Sequence, residues 1–227
     1  MPLLFGVGVF LLIAAGLFVP LEQWGAIRAQ RLAPRAVVVC AGLLAIDTLG
    51  MAAIGVPLLK WVAAAPAGWS ASRVLLVLVL ADLCGYWLHR LMHRVPWLWR
   101  VHAVHHAPTE LNWLEAWRQH PVDFVLHGLA VGLPGALLGV PLAELGGVVL
   151  LRKLFTSFLH ANLRWRFGRV ERWIATPAFH RTHHSAEPAD HDSNFAGTFA
   201  WVDRLFGTYR HAARMPARLG LAEPRRS

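Results

Sequence analysis

The stretch HRLMHRVPWLWRVHAVHH, residues 89–106, carries five of the chain's thirteen histidines. His89 and His93 stand one helical turn apart, so a helix projects both from one face. His102, His105 and His106 form an HxxHH group whose i, i+3 and i+4 spacing again gathers imidazoles on one side. HRTHH repeats the pattern with His180, His183 and His184, and FLHANLRW adds His160. Imidazoles that close repel one another when protonated and leave buried nitrogens unpaired when neutral. A metal resolves both problems, since neutral imidazole is a common ligand of iron, zinc, copper and nickel. The histidines outnumber the ligands of one ion, which implies two. Structural zinc takes four ligands, usually with cysteine, and carboxylate-bridged di-iron sites use Glu-x-x-His pairs, which this sequence lacks. A nearly all-nitrogen di-iron site is the economical reading. His127, His191 and His211 stand apart and are expected at surfaces or interfaces.

The elements that must position these groups are apolar. The 227 residues are 56% hydrophobic and 15% charged, with a mean hydropathy of +0.44, whereas a soluble domain carries charge on about a quarter of its residues. Leu3–Leu21 has no charge, Ala36–Leu59 only Asp47, and Val74–Leu88 only Asp82; each approaches the length needed to span a bilayer. Val122–Leu151 would reach roughly 45 Å as one helix. Pro134, Gly135, Gly139 and Pro141 interrupt it, so it is expected as a tight hairpin of two short helices. The predicted fold is all-α: a polytopic membrane bundle of three spans plus that hairpin, with a cytoplasmic, histidine-rich helical metal lobe. The expected divisions are N-terminal spans over 1–70, a catalytic domain over 71–210 and a disordered tail over 211–227. MPLLFGVGVF has no basic start, so the first run reads as a retained span. Cys40 and Cys84 lie inside predicted spans and form no disulfide framework.

The net charge of +9 is not spread as nucleic acid binding would require. Arg28, Arg31 and Arg35 follow the first span, Arg90, Arg94 and Arg100 the third, and Arg152, Lys153, Arg164, Arg166, Arg169 and Arg172 the hairpin. This positive-inside pattern puts the N-terminus outside and the long loops and C-terminus in the cytoplasm, beside anionic headgroups. Because the hairpin crosses an even number of times, His160 and the 180–184 group return to the side of His89–His106. A transporter would hold ligands at mid-span, whereas these boxes sit at span ends. A zinc hydrolase would need a general base such as the glutamate of HExxH, which is absent; a zinc-dependent membrane hydrolase, or a metal-binding protein without redox activity, stays as the alternative. Asp47 and Asp82 are costly charges within spans, and Asp82, two turns before His89, is expected to face the metal lobe. Glu110, Glu115, Asp190, Asp192 and Asp203 are candidates for orienting imidazoles. Trp61, Trp69, Trp87, Trp97, Trp99, Trp113 and Trp117 are expected as interfacial anchors.

On HRLMH, HAVHH, HANL, HRTHH and the closing DSNFAGTFAWVDRLFGTY, the chain resembles the fatty acid hydroxylase superfamily, the membrane di-iron group that includes sterol desaturases and alkylglycerol monooxygenase. The resemblance covers about residues 70–210. It implies two iron ions, O2 as co-substrate, a lipid C–H bond (fatty acyl, sterol-like or other isoprenoid) as target, and hydroxylation or desaturation as outcome. It also implies electrons from a separate reductase or redox partner of ferredoxin or cytochrome type. The metal ligands it implies are His89, His93, His102, His105, His106, His160, His180, His183 and His184. His120 and Asn162 are expected to support the ligands or face substrate, with His120 a candidate further ligand, and Asp82, from its place in the span, is expected in the same supporting position. Val202-Asp203 departs from the more usual Trp-Asp, a change expected to touch packing and no ligand. The Ala, Arg and Leu bias points to a bacterial cytoplasmic membrane.

Overall fold

Residues 2–65, 70–212 and 214–221 are described by a computed structural model, without the side chains of 142–146. Trp69 and the end of the tail, 222–227, lie outside them. Helix α1 (Pro2–Gly25) is followed by α2 (Pro34–Gly50), which runs through a π-helical turn at Met51–Gly55 into α3 (Val56–Val62). Helix α4 (Ala71–Arg94) completes a set of three stretches, Pro2–Gly25, Pro34–Val62 and Ala71–Arg94, long and apolar enough to cross a membrane. The chain is an integral membrane protein, all-helical as expected. Among the described residues only two isolated bridges, Ala26 to Leu163 and Ser185 to Leu219, have β character.

The expected hairpin forms as α6 (Pro121–Leu137) and α7 (Leu142–His160). Its turn lies at 138–141, where Gly139 takes a left-handed φ of 65°; Pro134 is inside α6. Gly128 and Gly132 face the second span. A Cβ at either would come within 2.6 Å of Met51 Sδ or Leu59 Cδ1, so the missing side chains let two membrane helices approach closely. Asp82, on α4, accepts from Phe199 N at 2.8 Å and pairs with Arg152 at 3.4 Å, which meets its charge within the apolar span.

Proline sets the breaks that matter for the site. Pro96 stops α4 at Arg94 and opens α5 (Pro96–His106) at its first turn, because a proline can start a helix but not continue one. The His89–His93 face therefore turns back toward His102–His106. Pro177 starts α8 (Pro177–His183), with Thr176 Oγ1 accepting from Phe179 N at 3.3 Å, a standard N-cap. The short α9 (Ala200–Leu205) follows.

Helices on both sides of residue 70 share one core: Phe10, Phe18, Cys40 and Leu44 meet Trp113, Trp117, Ala161 and Leu163. Trp113 and Trp117 are therefore core residues, not interfacial anchors. Phe18 stacks on Trp113, Phe10 meets Trp117 edge-on, and Trp117 Nε1 donates to Ser157 Oγ at 3.1 Å. Trp61, Trp87 and Trp97 remain exposed. Val202, where the family's tryptophan would stand, is buried with Tyr86 and Phe195. Part of the expected tail docks on the lobe: Arg218 O accepts from Ala186 N, and Gly220 N donates to His184 O.

Candidate metal centre

The nine imidazoles that the resemblance implies as ligands gather into two groups. His89, His93, His102, His106 and His183 form one, and His105, His160, His180 and His184 the other. Within each group, one nitrogen from every ring lies within 4.8 Å of all the rest. The two triplets interlock. On α5, His102 and His106 (i, i+4) enter the five-histidine group while His105 crosses to the four. On α8 and its end, His180 and His184 enter the four-histidine group while His183 crosses to the five.

Hydrogen bonds fix the ring orientations. Nδ1 of His89 faces Phe195 O at 2.8 Å, that of His105 faces Arg118 O at 3.3 Å, that of His160 faces Thr156 O at 2.9 Å and that of His183 faces Ser193 O at 2.8 Å. His102 Nδ1 is 2.9 Å from the carboxylate of Asp123. A carbonyl only accepts, so these Nδ1 atoms carry the proton and each Nε2 carries a lone pair. Yet His105 Nε2 lies 3.1 Å from His160 Nε2. Two lone pairs face each other at hydrogen-bond distance with no proton between them. His160 to His180, His180 to His184 and His106 to His183 repeat the 3.1 Å spacing. Such edges match the ~3.0–3.4 Å between two nitrogens each ~2.1 Å from one cation. His89 Nε2 and His93 Nε2 are buried with no protein partner. The donor set fits metal ions in both groups.

Electrostatics agree. Burial, joined by neighbouring imidazoles, holds His105, His106, His180, His183 and His184 well below the ordinary histidine range. They are therefore neutral, the form that binds metal.

The carboxylate that touches a ligand most directly is Asp123, which sequence reasoning missed. Its Oδ2 faces His102 and its Oδ1 is 2.7 Å from His127 Nδ1. His127, expected at a surface or interface, thus borders the site half-buried, with its ring centroid 5.7 Å from that of His89. The one available signal was Asp123 and His127 at i, i+4 spacing. Of the five acids proposed from sequence, Asp192 comes within 3.9 Å of His93 Nδ1. Two others act at one remove. Glu115 holds Arg118, whose carbonyl faces His105. Asp203 accepts from the backbone of Phe195 and Ala196 at 2.7 and 2.8 Å. Asp190 offers only its backbone carbonyl, which accepts from Ser193 Oγ, while its carboxylate pairs with Arg210. Glu110 is exposed. The closing DSNFAG segment therefore delivers backbone carbonyls to the metal lobe, aided by left-handed Asp192 and Asn194, residue types that tolerate this conformation.

Asp82 contacts no imidazole; it anchors Phe199 and Arg152 just beyond that segment. His120 caps α6, accepting from Val122 N at 3.2 Å, and is outside both groups. Asn162 is buried and donates to Arg28 O at 2.7 Å.

The sequence model for the fatty acid hydroxylase family matches residues 74–208, a segment that contains all nine imidazoles. Over 145 residues the chain is 34% identical to the ornithine lipid hydroxylase OlsE of Rhizobium tropici, covering 63% of this chain and 44% of that protein. Over 133 residues it is 31% identical to the alkylglycerol monooxygenase of Xenopus tropicalis, covering 56% and 28%. A very-long-chain aldehyde decarbonylase of Oryza sativa subsp. indica is 34% identical over 147 residues, covering 62% and 54%. The chain thus spans roughly a quarter to a half of each relative's length. No solved structure matches.

Proposed function

The chain belongs to the fatty acid hydroxylase family, and from that premise we propose that it is an O2-dependent, membrane-bound lipid hydroxylase or desaturase with two iron ions. The observation that carries the proposal is the facing pair of Nε2 lone pairs on His105 and His160, supported by the same 3.1 Å Nε2 spacing in His160–His180, His180–His184 and His106–His183. The five-histidine group would hold one ion and the four-histidine group the other. Two irons bound there would supply reductive activation of O2 for removal of hydrogen from an unreactive C–H bond.

The protein's own part is positional. Asp123 and the carbonyls of Phe195, Ser193, Arg118 and Thr156 hold the Nδ1 proton of His102, His89, His183, His105 and His160, so the Nε2 of these five stays a donor to metal. Phe195 packs edge-on against His89 and His183, and Trp99 lies 5.0 Å from His93, so aromatic rings screen the five-histidine group from water. The relatives named as acting on ornithine lipid and alkylglycerol support a lipid substrate. It would arrive laterally from the bilayer, at a centre on the cytoplasmic side of a bacterial membrane, the side favoured by the arginine distribution. Electrons would come from a separate donor of ferredoxin or cytochrome type, and residues 71–210 would form the catalytic domain.

The test is metal content and the Mössbauer spectrum of protein purified in mild detergent after growth on iron-57. About two coupled irons per chain are expected. Two zincs that iron cannot replace, with no O2 consumption on reduction, would overturn the reading.

A further inference from the structure

A cavity of about 290 Å³ lies between the chain leaving α1 and the C-terminal run at 215–219. Its wall includes Arg28, Gln30, Glu110, Asn162, Arg181 and Arg218. Arg181 stands between His180 and Thr182 and is 5% exposed. Its Nη2 donates to Ala161 O at 3.1 Å, while its buried Nε has no protein partner. The buried Oε1 of Gln30 also has none. An unmatched buried donor and an unmatched buried acceptor thus border one cavity. Arg28 is close enough to Arg181 for the two charges to repel, and the charge offsetting them is Glu22. Glu22 is partly committed, because its Oε1 already accepts from the backbone of Trp113 and Asn162. Among the described residues, Arg28 and Arg181 line the wall together with the carboxylate of Glu110.

We propose that this cavity binds the phosphate or carboxylate of the substrate lipid's headgroup, an inference that rests on the lipid-oxidising reading above. Guanidinium groups match either oxyanion through paired, charge-assisted hydrogen bonds. The Gln30 carbonyl takes a hydroxyl or ammonium hydrogen from the same headgroup. The location suits the role. Ala161 follows His160 and Arg181 follows His180, so the anchor is tied by one residue to two ligands of the four-histidine group. Arg28 lies three residues beyond the end of α1 at Gly25, at the border between apolar span and water where headgroups reside. Asn162, expected to face substrate, lines the cavity and shapes it by holding Arg28 O.

The experiment measures lipid binding without turnover, by native mass spectrometry of the full, metal-loaded chain in a non-ionic detergent. The probes are dioleoyl phosphatidic acid, dioleoylglycerol and inorganic phosphate. Phosphatidic acid should bind at least about tenfold more tightly than the diacylglycerol with the same chains. Arg181→Gln should weaken phosphatidic acid about tenfold and leave dioleoylglycerol unchanged. Should Arg181→Gln fail to fold, judged by metal content and unfolding midpoint, Arg28→Gln and Gln30→Leu decide, each with a smaller loss confined to the anionic lipid. Equal binding of the two lipids, or an equal loss of both in the variants, overturns the proposal. Inorganic phosphate binding as tightly as the lipid would overturn the headgroup assignment in favour of a free anion. A chain that holds zinc, or consumes no O2, but binds phosphatidic acid through Arg181 would keep this site and lose the function proposed above.

Discussion

The two histidine groups are built from the same short motifs but supported differently. In the five-histidine group, His102 leans on the carboxylate of Asp123, while His89 and His183 lean on carbonyls of the 193–195 loop. In the four-histidine group, His160 and His105 lean on the backbone carbonyls of Thr156 and Arg118. Nδ1 of His180 and of His184 has no protein partner at all. A carboxylate behind an imidazole raises its basicity more than a carbonyl does. One site is thus electron-rich and crowded with five nitrogens; the other has four, with looser support, and is tied through Ala161 and Arg181 to the polar cavity. If each group holds one ion, as proposed above, the first would be suited to holding its ion and the second to leaving room for other ligands.

The most direct way to break that comparison is to remove one ligand from each group. His106→Ala should deplete the five-histidine group and His160→Ala the four-histidine group. Each should leave about one metal per chain by elemental analysis and drop activity to background, since a two-metal reaction needs both ions. Loss of both metals in either variant would show that the groups are one cooperative site.

Acid should act next most strongly. In the fold, His105, His106, His180, His183 and His184 are held low by burial and by one another, whereas an unfolded histidine takes its proton near pH ~6.5. Below that value the unfolded chain binds more protons than the folded one, so stability is present above pH ~6.5 and is lost as pH falls through and below it. Protons also compete with metal for each Nε2. Metal release followed by equilibrium dialysis should rise steeply below pH ~6.5. The weakly supported four-histidine group should empty first. Retention of both metals at pH 5 would show that protons do not displace metal from these imidazoles.

Much of this was legible in the sequence, and the omissions have physical causes. Uncharged runs revealed the spans because a bilayer admits few charges, and Pro141 with Gly139 marked the hairpin turn. The nine imidazoles were visible because few other arrangements tolerate so many together. Their partition was not: whether His105 joins His106 or His160 depends on how α5, α7 and α8 cross, which i+3 and i+4 spacings do not encode. Asp123 was hidden because an acid in the first turn of a helix is ordinary, stabilised there by the helix dipole. The carbonyls of Phe195 and Ser193 were invisible for a simpler reason: a backbone acceptor has no side-chain signature. Trp113 and Trp117 were misplaced because an amphipathic ring suits an interface and a core alike, and only the packing of Phe10 and Phe18 decides between them.

Asp123→Asn sharpens the contrast between the groups without removing a ligand. The amide keeps the shape but not the charge, so His102 loses basicity and its Nδ1 proton loses a preferred acceptor. Loss of such an outer partner typically costs about 10–100-fold in metal affinity or activity. The loss should fall on the five-histidine ion alone, read as one of two Mössbauer components shifting or vanishing. Equal loss from both sites would mean that Asp123 acts on the fold and not on His102.

The smallest effect is expected at His120, where the two kinds of histidine in this chain part company. His120 lies near the site in sequence, yet its Nδ1 accepts the backbone hydrogen of Val122 and caps α6. Removing a capping side chain costs about 0.5–2 kcal/mol. His120→Ala should therefore lower the unfolding midpoint modestly while both metals stay bound. Because α6 also carries Asp123 and His127, a frayed first turn would loosen the support of His102, and activity should fall by less than in Asp123→Asn. Replacement by asparagine, a better cap, should restore the midpoint. A ligand would behave in the opposite way: metal content would fall with alanine and asparagine alike, and His120 would have to be counted with the nine.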